Sequence, residues 1–262
     1  MSTLFYHIRA YLRHLRQAGN RHDVHSPFVF ALVVDVLRKR GSNRECSDIE
    51  QLRKGLLKRD ETIHVTDLGA GSQRANTPDR KVSDIARTAL KPRAQAETLF
   101  RLARYFKPRT ILELGTSFGI TTLYLTRAAR DATVHTIEGS PAIAGIAQKN
   151  FARLNATHIL PHVGSFRDRL PQVLHVIDRL DMVFIDGHHA KAPTLENFEL
   201  CLTKAHNDSI FIFDDIHWSP EMEQAWEAIQ AHPQVTVTID LLHMGLVFLR
   251  KEQQREHFRL RY

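Results

Sequence analysis

Cysteine is scarce. Of the 262 residues only Cys46 and Cys201 are cysteines, far apart in the chain. That excludes a disulfide framework or a cysteine-built zinc site and leaves two ordinary buried or free thiols. Long apolar runs are missing too: none reaches the roughly 18 residues that a membrane span needs. A signal-peptide apolar core with a small-residue cleavage site is also absent, so a cytoplasmic protein with no membrane span is expected. There is no RNA-binding motif and no basic run interleaved with aromatics. The net charge is nonetheless +7, with scattered arginines and mild clusters at Arg38–Arg40 and from Arg250 to Arg261. This balance suits a basic enzyme first and an RNA binder second. The 16 histidines are spread along the chain and read mostly as surface or core residues.

What is there suffices for one α/β domain with an N-terminal addition, since 43% of the residues are hydrophobic. The first third reads as mostly helical. Leu4, Phe5, Ile8, Tyr11, Leu12 and Leu15 share one helical face, with Arg9, Arg13 and Arg16 on the other. Such a basic amphipathic helix suits a membrane surface, its own domain or a dimer partner; docking on its own domain or a homodimer partner is expected. Ser26-Pro27 starts a second helix through Arg40, and Ser47-x-x-Glu50 reads as a capping box for a third. Val65-Thr-Asp-Leu-Gly-Ala-Gly-Ser72 imitates a ligand-binding turn, but the residues after it lack helical periodicity and include Pro78. It reads as a glycine-rich loop, and Gly69 to Pro78 as a substrate lid.

Ser83 reads as the cap of a short helix, and Pro92 as the start of the next. From Thr110 onward strands and helices alternate. Strands are expected near 110–114, 133–138, 158–163, 181–186, 209–214, 235–240 and 244–250, and helices near 119–130, 141–154, 166–178, 194–206 and 219–231. Alternation of this kind gives a Rossmann-like, doubly wound α/β sheet of seven strands. It is mostly parallel. The short turn around His243 and Gly245 forces the last two strands into an antiparallel hairpin. The expected division is a helical extension over 1–80 and a ligand-binding domain over 81–262.

Ile111-Leu-Glu-Leu-Gly-Thr-Ser-Phe-Gly119 is the most informative segment. It reads as strand, tight turn and helix start, the place where open α/β sheets bind nucleotide-like ligands. A dinucleotide turn needs a middle glycine for the pyrophosphate, and here Ser117 stands there. A nucleoside without phosphates fits better. Glu113 would repel phosphate and suits an ammonium or sulfonium charge, and S-adenosylmethionine carries both. Val134-His-Thr-Ile-Glu138 reads as the next strand, whose terminal acid grips ribose hydroxyls. Ser140 and Pro141 read as the cap and first residue of the helix that follows.

With these residues the segment Lys81–Arg250 resembles the class I S-adenosylmethionine-dependent methyltransferases. Within them it is closest to the O-methyltransferase branch of catechol and caffeoyl-CoA type. The resemblance implies that Glu113, Gly115, Ser117 and Gly119 form the first cofactor motif. It makes Glu138 the ribose acid and sets Gly164, Ser165 and Phe166 around the adenine. Asp181-Met-Val-Phe-Ile-Asp186 becomes the fourth strand, with Asp186 where the methionine end of the cofactor meets the substrate. Phe211-Ile-Phe-Asp-Asp-Ile-His217 becomes the fifth.

Metal-dependent members bind a divalent cation such as Mg²⁺ at positions matching Asp186, Asp214 and Asp215. The other reading has one of these cap a helix and another hold the cofactor ammonium. The family's lysine base three residues after the fourth-strand Asp is replaced here by His189, and Lys191 lies two residues further on. The implied catalytic residues are thus His189 and Asp186. A neutral-pH proton acceptor suits histidine, although His188 and His189 also suit a loop or substrate-binding role. His217 and Trp218 would line the acceptor pocket or serve packing. The implied function is methylation of a small hydroxylated acceptor. A tRNA or rRNA methyltransferase of the same fold is the alternative, and a non-catalytic cofactor-binding protein comes third.

Overall fold

The computed structural model of the chain describes residues 3–20, 23–39, 44–66 and 77–261. In chain order the helices are α1 Thr3–Gln17, α2 Pro27–Leu32, α3 Ser47–Leu56, α4 Val82–Ala89, α5 Arg93–Phe106, α6 Ile120–Ala128, α7 Pro141–Arg153, α8 Phe166–Val176, α9 Lys191–Leu202 and α10 Pro220–Ala231. The strands are β1 Thr62–His64, β2 Asp79–Lys81, β3 Thr110–Leu114, β4 Thr133–Glu138, β5 Ile159–Val163, β6 Leu180–Ile185, β7 Ala205–Asp214, β8 Val237–Asp240, β9 Met244–Phe248 and β10 Glu256–Arg259. A π-helical turn, Val33–Leu37, continues α2. The chain divides into two compact units: Arg40–Ile177, and Met1–Lys39 together with Asp178–Tyr262.

In the Arg40–Ile177 unit β3, β4 and β5 run parallel in that order. Helices cover both faces of such strands, and Ile111, Leu112, Leu114, Val134 and Ile137 are fully buried, while the edge strand β5 is partly exposed. Leu114 pairs with Ile137, and Glu138 with Val163. This register brings the turns after the three strands to one end. Ser165 starts α8 as an N-cap, its hydroxyl accepting from the Asp168 amide at 3.2 Å. The capping boundaries of α3 and α4 differ from expectation. Cys46, not Ser47, holds the cap position of α3. Glu50 is drawn instead to the Arg53 guanidinium and the Tyr124 hydroxyl, both at 2.9 Å. The helix after β2 begins at Val82, so Ser83 lies inside it. The glycine-rich loop expected as a lid lies, from residue 67 to 76, outside the described residues. Its flanks form the antiparallel pair β1–β2, closed by the Val65 amide donating to the Pro78 carbonyl at 2.8 Å.

In the second unit β6 and β7 are parallel, and β9 is antiparallel to both β7 and β8. The short Leu241–His243 turn leaves no room for a crossover, as expected. The seven expected strands are present and an eighth, β10, joins them. It pairs in parallel with β8, from Glu256 opposite Val237 to Arg259 opposite Asp240. The arginine-rich tail is thus partly sheet. Ser26 caps α2, accepting from the Val29 amide at 3.4 Å, with Pro27 in the first turn.

The expected helix α1 forms, but it turns its other side inward. Ala10 and His14 are buried, while Phe5, Ile8, Tyr11 and Leu12 are exposed. The buried side is fixed by polar contacts: Arg13 pairs with Glu223, and the His14 ring lies beside Asp240 and the Leu260 carbonyl. No helix among the described residues is long and apolar enough to cross a membrane.

Candidate functional site

The turn after β3 is a left-handed construction. Gly115, Ser117 and Gly119 have φ values of 102°, 49° and 78°. At Gly119 no other residue fits, because a Cβ would lie 2.2 Å from the Phe151 ring. The Gly115 amide donates to the Ile137 carbonyl at 3.0 Å, and the Gly119 amide to Thr116 at 2.9 Å. Ser117 holds the place of the absent glycine and adopts the positive φ itself.

Glu138 ties this turn to its neighbours. Its Oε2 accepts the Ser117 amide at 2.9 Å and its Oε1 the Ser140 amide at 3.0 Å. Its backbone carbonyl accepts the Gly164 amide at 2.9 Å. The ends of β3, β4 and β5 are thereby stitched together around one residue, by its carboxylate on one side and its backbone carbonyl on the other. Ser140 sits at the cap position of α7, but its side chain makes no cap hydrogen bond; the carboxylate of Glu138 takes its amide instead.

Glu113 is fully buried. Its Oε2 accepts the hydroxyls of Thr122 and Thr136, at 2.5 and 2.6 Å. A buried carboxylate costs free energy unless it is hydrogen-bonded, and these two hydroxyls supply that support directly under the turn. Gly164 has a φ of 140°, and the Arg169 side chain lies against it, its Nε donating to the Val163 carbonyl at 2.8 Å. Ser165 spends its hydroxyl on Asp168, and Phe166 is buried. The structure therefore brings Gly115, Ser117, Gly119, Glu138 and Gly164 to one set of turns, with Glu113 beneath and Ser165 and Phe166 opening α8.

The Met1–Lys39 and Asp178–Tyr262 unit holds two polar clusters. In the first, ligand atoms of Asp186, His189 and Asp214 all lie within 4.8 Å of one another. The His189 Nε2 is 3.9 Å from an Asp186 oxygen, and Asp214 is buried. Asp215, expected as the third acid, is not part of this group. Successive strand residues point to opposite faces, and Asp215 turns further with a φ of 51°, its amide donating to the His243 carbonyl at 2.8 Å. Lys191 reaches away, donating to the Gln224 side chain at 3.2 Å. Two carboxylates and an imidazole fit a divalent cation.

The second cluster was not legible in the sequence. Both ring nitrogens of His217 face carboxylates at 2.9 Å, Nδ1 toward Glu223 and Nε2 toward Asp240. Arg259 Nε donates to the same Asp240 oxygen at 2.8 Å. Burial pulls the His217 pKa down, but the hydrogen bonds to Asp240 and Glu223 overcome it and push it up to about 9. Burial pushes Asp240 up, yet His14 and His217 hold it well below the usual carboxylate range. Of the two roles open to His217, this full engagement is the packing one. Trp218, nearly half exposed, meets the His7 ring edge-on at 4.8 Å.

A glycine turn at the carboxyl end of a parallel strand, with an acid ending the next strand, is the ligand-binding arrangement of Rossmann-like folds. Residues 112–216 match the family model described as a methyltransferase domain. The chain is similar to a catechol O-methyltransferase of Niastella koreensis, 32% identical over 125 residues. That match covers 47% of this chain and spans only 56% of the relative's length. Among solved structures it resembles an O-methyltransferase from Bacillus cereus in complex with SAH, at 20% identity and a TM-score of 0.57, covering 84% of this chain and 97% of that one. An SAH-bound methyltransferase of Podospora anserina aligns at 14% identity with a TM-score of 0.61, over 82% of this chain and 92% of the other. The O-methyltransferase of tomaymycin synthesis from Streptomyces achromogenes, in complex with SAM, aligns at 20% identity and a TM-score of 0.56, over 85% and 95%. The fold is thus that of S-adenosylmethionine-dependent methyltransferases, and the resemblance read from the motifs is matched by O-methyltransferases among the relatives.

Proposed function

We propose that this chain is an S-adenosylmethionine-dependent methyltransferase that methylates a hydroxyl oxygen of a small acceptor. The observation that carries the reading is the Glu138 carboxylate joining the Ser117 and Ser140 amides around a turn that lacks the pyrophosphate glycine. In this reading Glu138 receives the ribose hydroxyls, the glycine turn lets the donor approach the backbone, and the buried Glu113, held by the Thr122 and Thr136 hydroxyls, supports the turn from beneath. Gly164, Ser165 and Phe166 border the adenine. Residues 81–262 would be the transferase domain, residues 1–80 an addition to it, and the compartment the cytoplasm.

The acceptor chemistry falls to Asp186, His189 and Asp214. The acceptor oxygen forms a bond to the sulfonium methyl carbon as the carbon–sulfur bond breaks. The sulfur keeps that electron pair and leaves as a neutral thioether, and the hydroxyl proton passes to the His189 ring. Asp186 lies 3.9 Å from that ring. A divalent cation such as Mg²⁺, held by Asp186 and Asp214, would acidify the acceptor hydroxyl. Alignment of oxygen, carbon and sulfur supplies much of the rate.

The test is calorimetry with S-adenosylhomocysteine, followed by transfer of labelled methyl from S-adenosylmethionine to a panel of small phenols and, in parallel, to total RNA. Saturable cofactor binding with label in an O-methyl ether is the expected result. Label confined to RNA would overturn the acceptor class, and no cofactor binding would overturn the whole reading.

A further inference from the structure

Helix α1 is held by one side only. Ala10 and His14 are buried, Arg13 pairs with Glu223, His7 packs against Trp218, and just past the helix Gly19 bridges to Leu260. The opposite side presents Phe5, Ile8, Tyr11 and Leu12, which are 55%, 49%, 50% and 48% exposed. Their three- and four-residue spacing makes them one continuous stripe. Scattered exposed apolar residues need no explanation, but a stripe of four large ones on a pinned helix does.

The flank of the stripe is cationic. Arg9 lies four residues after Phe5, and Arg16 four after Leu12, so both stand beside the apolar row. Both are exposed, and neither has an ion-pair partner among the described residues. Arg13, in contrast, is taken by Glu223. The helix contains no acidic residue at all. An apolar stripe edged by unpaired arginines is complementary to a surface that offers hydrocarbon and negative charge side by side. A second copy fits less well. In an antiparallel two-fold pairing of α1 with its equivalent, like flanks face each other, which would set arginine against arginine with no acid in the helix between them.

We propose that α1 docks the protein peripherally on an anionic phospholipid surface. The Phe5, Ile8, Tyr11 and Leu12 side chains enter the boundary between headgroups and acyl chains, and Arg9 and Arg16 meet the lipid charges. This inference is independent of the methyl-transfer reading.

The experiment is co-sedimentation of the full chain with vesicles of phosphatidylcholine plus phosphatidylserine, and with phosphatidylcholine alone. The expected result is binding that needs phosphatidylserine and falls as salt is raised. Replacing Arg9→Gln and Arg16→Gln together should weaken partitioning about 30-fold, roughly fivefold for each cationic side chain near the surface. Ile8→Glu with Leu12→Glu should abolish it, and because both residues are exposed the melting temperature should stay unchanged. Binding indifferent to phosphatidylserine, or none, would overturn the proposal. So would a lipid-free dimer in sedimentation velocity that Ile8→Glu/Leu12→Glu dissolves, since the stripe would then be covered by a second copy.

Discussion

The Glu138 carboxylate and the Ser117 amide meet at 2.9 Å across two turns that are 21 residues apart in sequence. The residue expected to grip the ligand is therefore also the residue that shapes the turn. Replacing Glu138→Gln keeps one acceptor oxygen and sets an amide group against the Ser117 or Ser140 N–H. A charge-assisted hydrogen bond is worth about 1.5–3 kcal/mol, so affinity for S-adenosylhomocysteine should fall about 10- to 100-fold in calorimetry. Undiminished affinity would remove Glu138 from the donor site.

Gly119 is locked by Phe151. Gly119→Ala should destabilise the fold by about 2–4 kcal/mol, combining left-handed strain with overpacking. A denaturant series on Gly119→Ala, Phe151→Ala and the double variant separates the two. The double variant should be more stable than the sum of the single losses, because the clash is gone. Simple additivity would mean that the ring is not what selects glycine.

His217 makes stability depend on pH. Its folded pKa is pushed up to about 9 from an ordinary value of 6.5, so its contribution is complete below about 6.5 and is lost as the pH rises through about 9. Asp240 and Glu223, held low by their partners, act in the opposite sense and lose their contribution in acid. Urea unfolding of the native chain should weaken by about 1–3 kcal/mol between neutral pH and pH ~10. His217→Asn should flatten that slope, and an equally steep slope in the variant would assign it to other groups.

His189 is the expected proton acceptor. His189→Ala should lower kcat by about 100-fold or more and leave S-adenosylhomocysteine affinity unchanged. If the Asp186 and Asp214 carboxylates hold a cation, EDTA should abolish turnover and Mg²⁺ restore it. Turnover indifferent to both treatments would leave the carboxylates with His189 alone.

Much of the fold is legible because the central strands β3, β6 and β7 are largely buried. Ile210 to Phe213 is an apolar run and Ile111 to Leu114 is one interrupted only by Glu113, and such runs declare themselves locally. Strand β10 did not, because only Phe258 is well buried in a charged four-residue stretch. Its partner β8 lies some 19 residues upstream. The periodicity of α1 is legible in the sequence, but which side packs on its own unit is not. That choice rests on Glu223, Asp240 and Leu260, all more than 200 residues away in sequence. The site shows the same divide. Glu138 and the glycine turn follow from strand-end position, whereas the grouping of His189 with Asp214 in place of Asp215 depends on a backbone twist that no spacing reports.

The turn over Phe151 has a kinetic consequence. Its left-handed residues are fixed by an aromatic ring beneath and a carboxylate alongside, both supplied by the protein. In the proposed function an arriving donor would therefore meet a cradle already in its working shape and lose no affinity to ordering it. Association should proceed in a single phase whose rate rises linearly with donor concentration, with no slow closing step contributed by this turn.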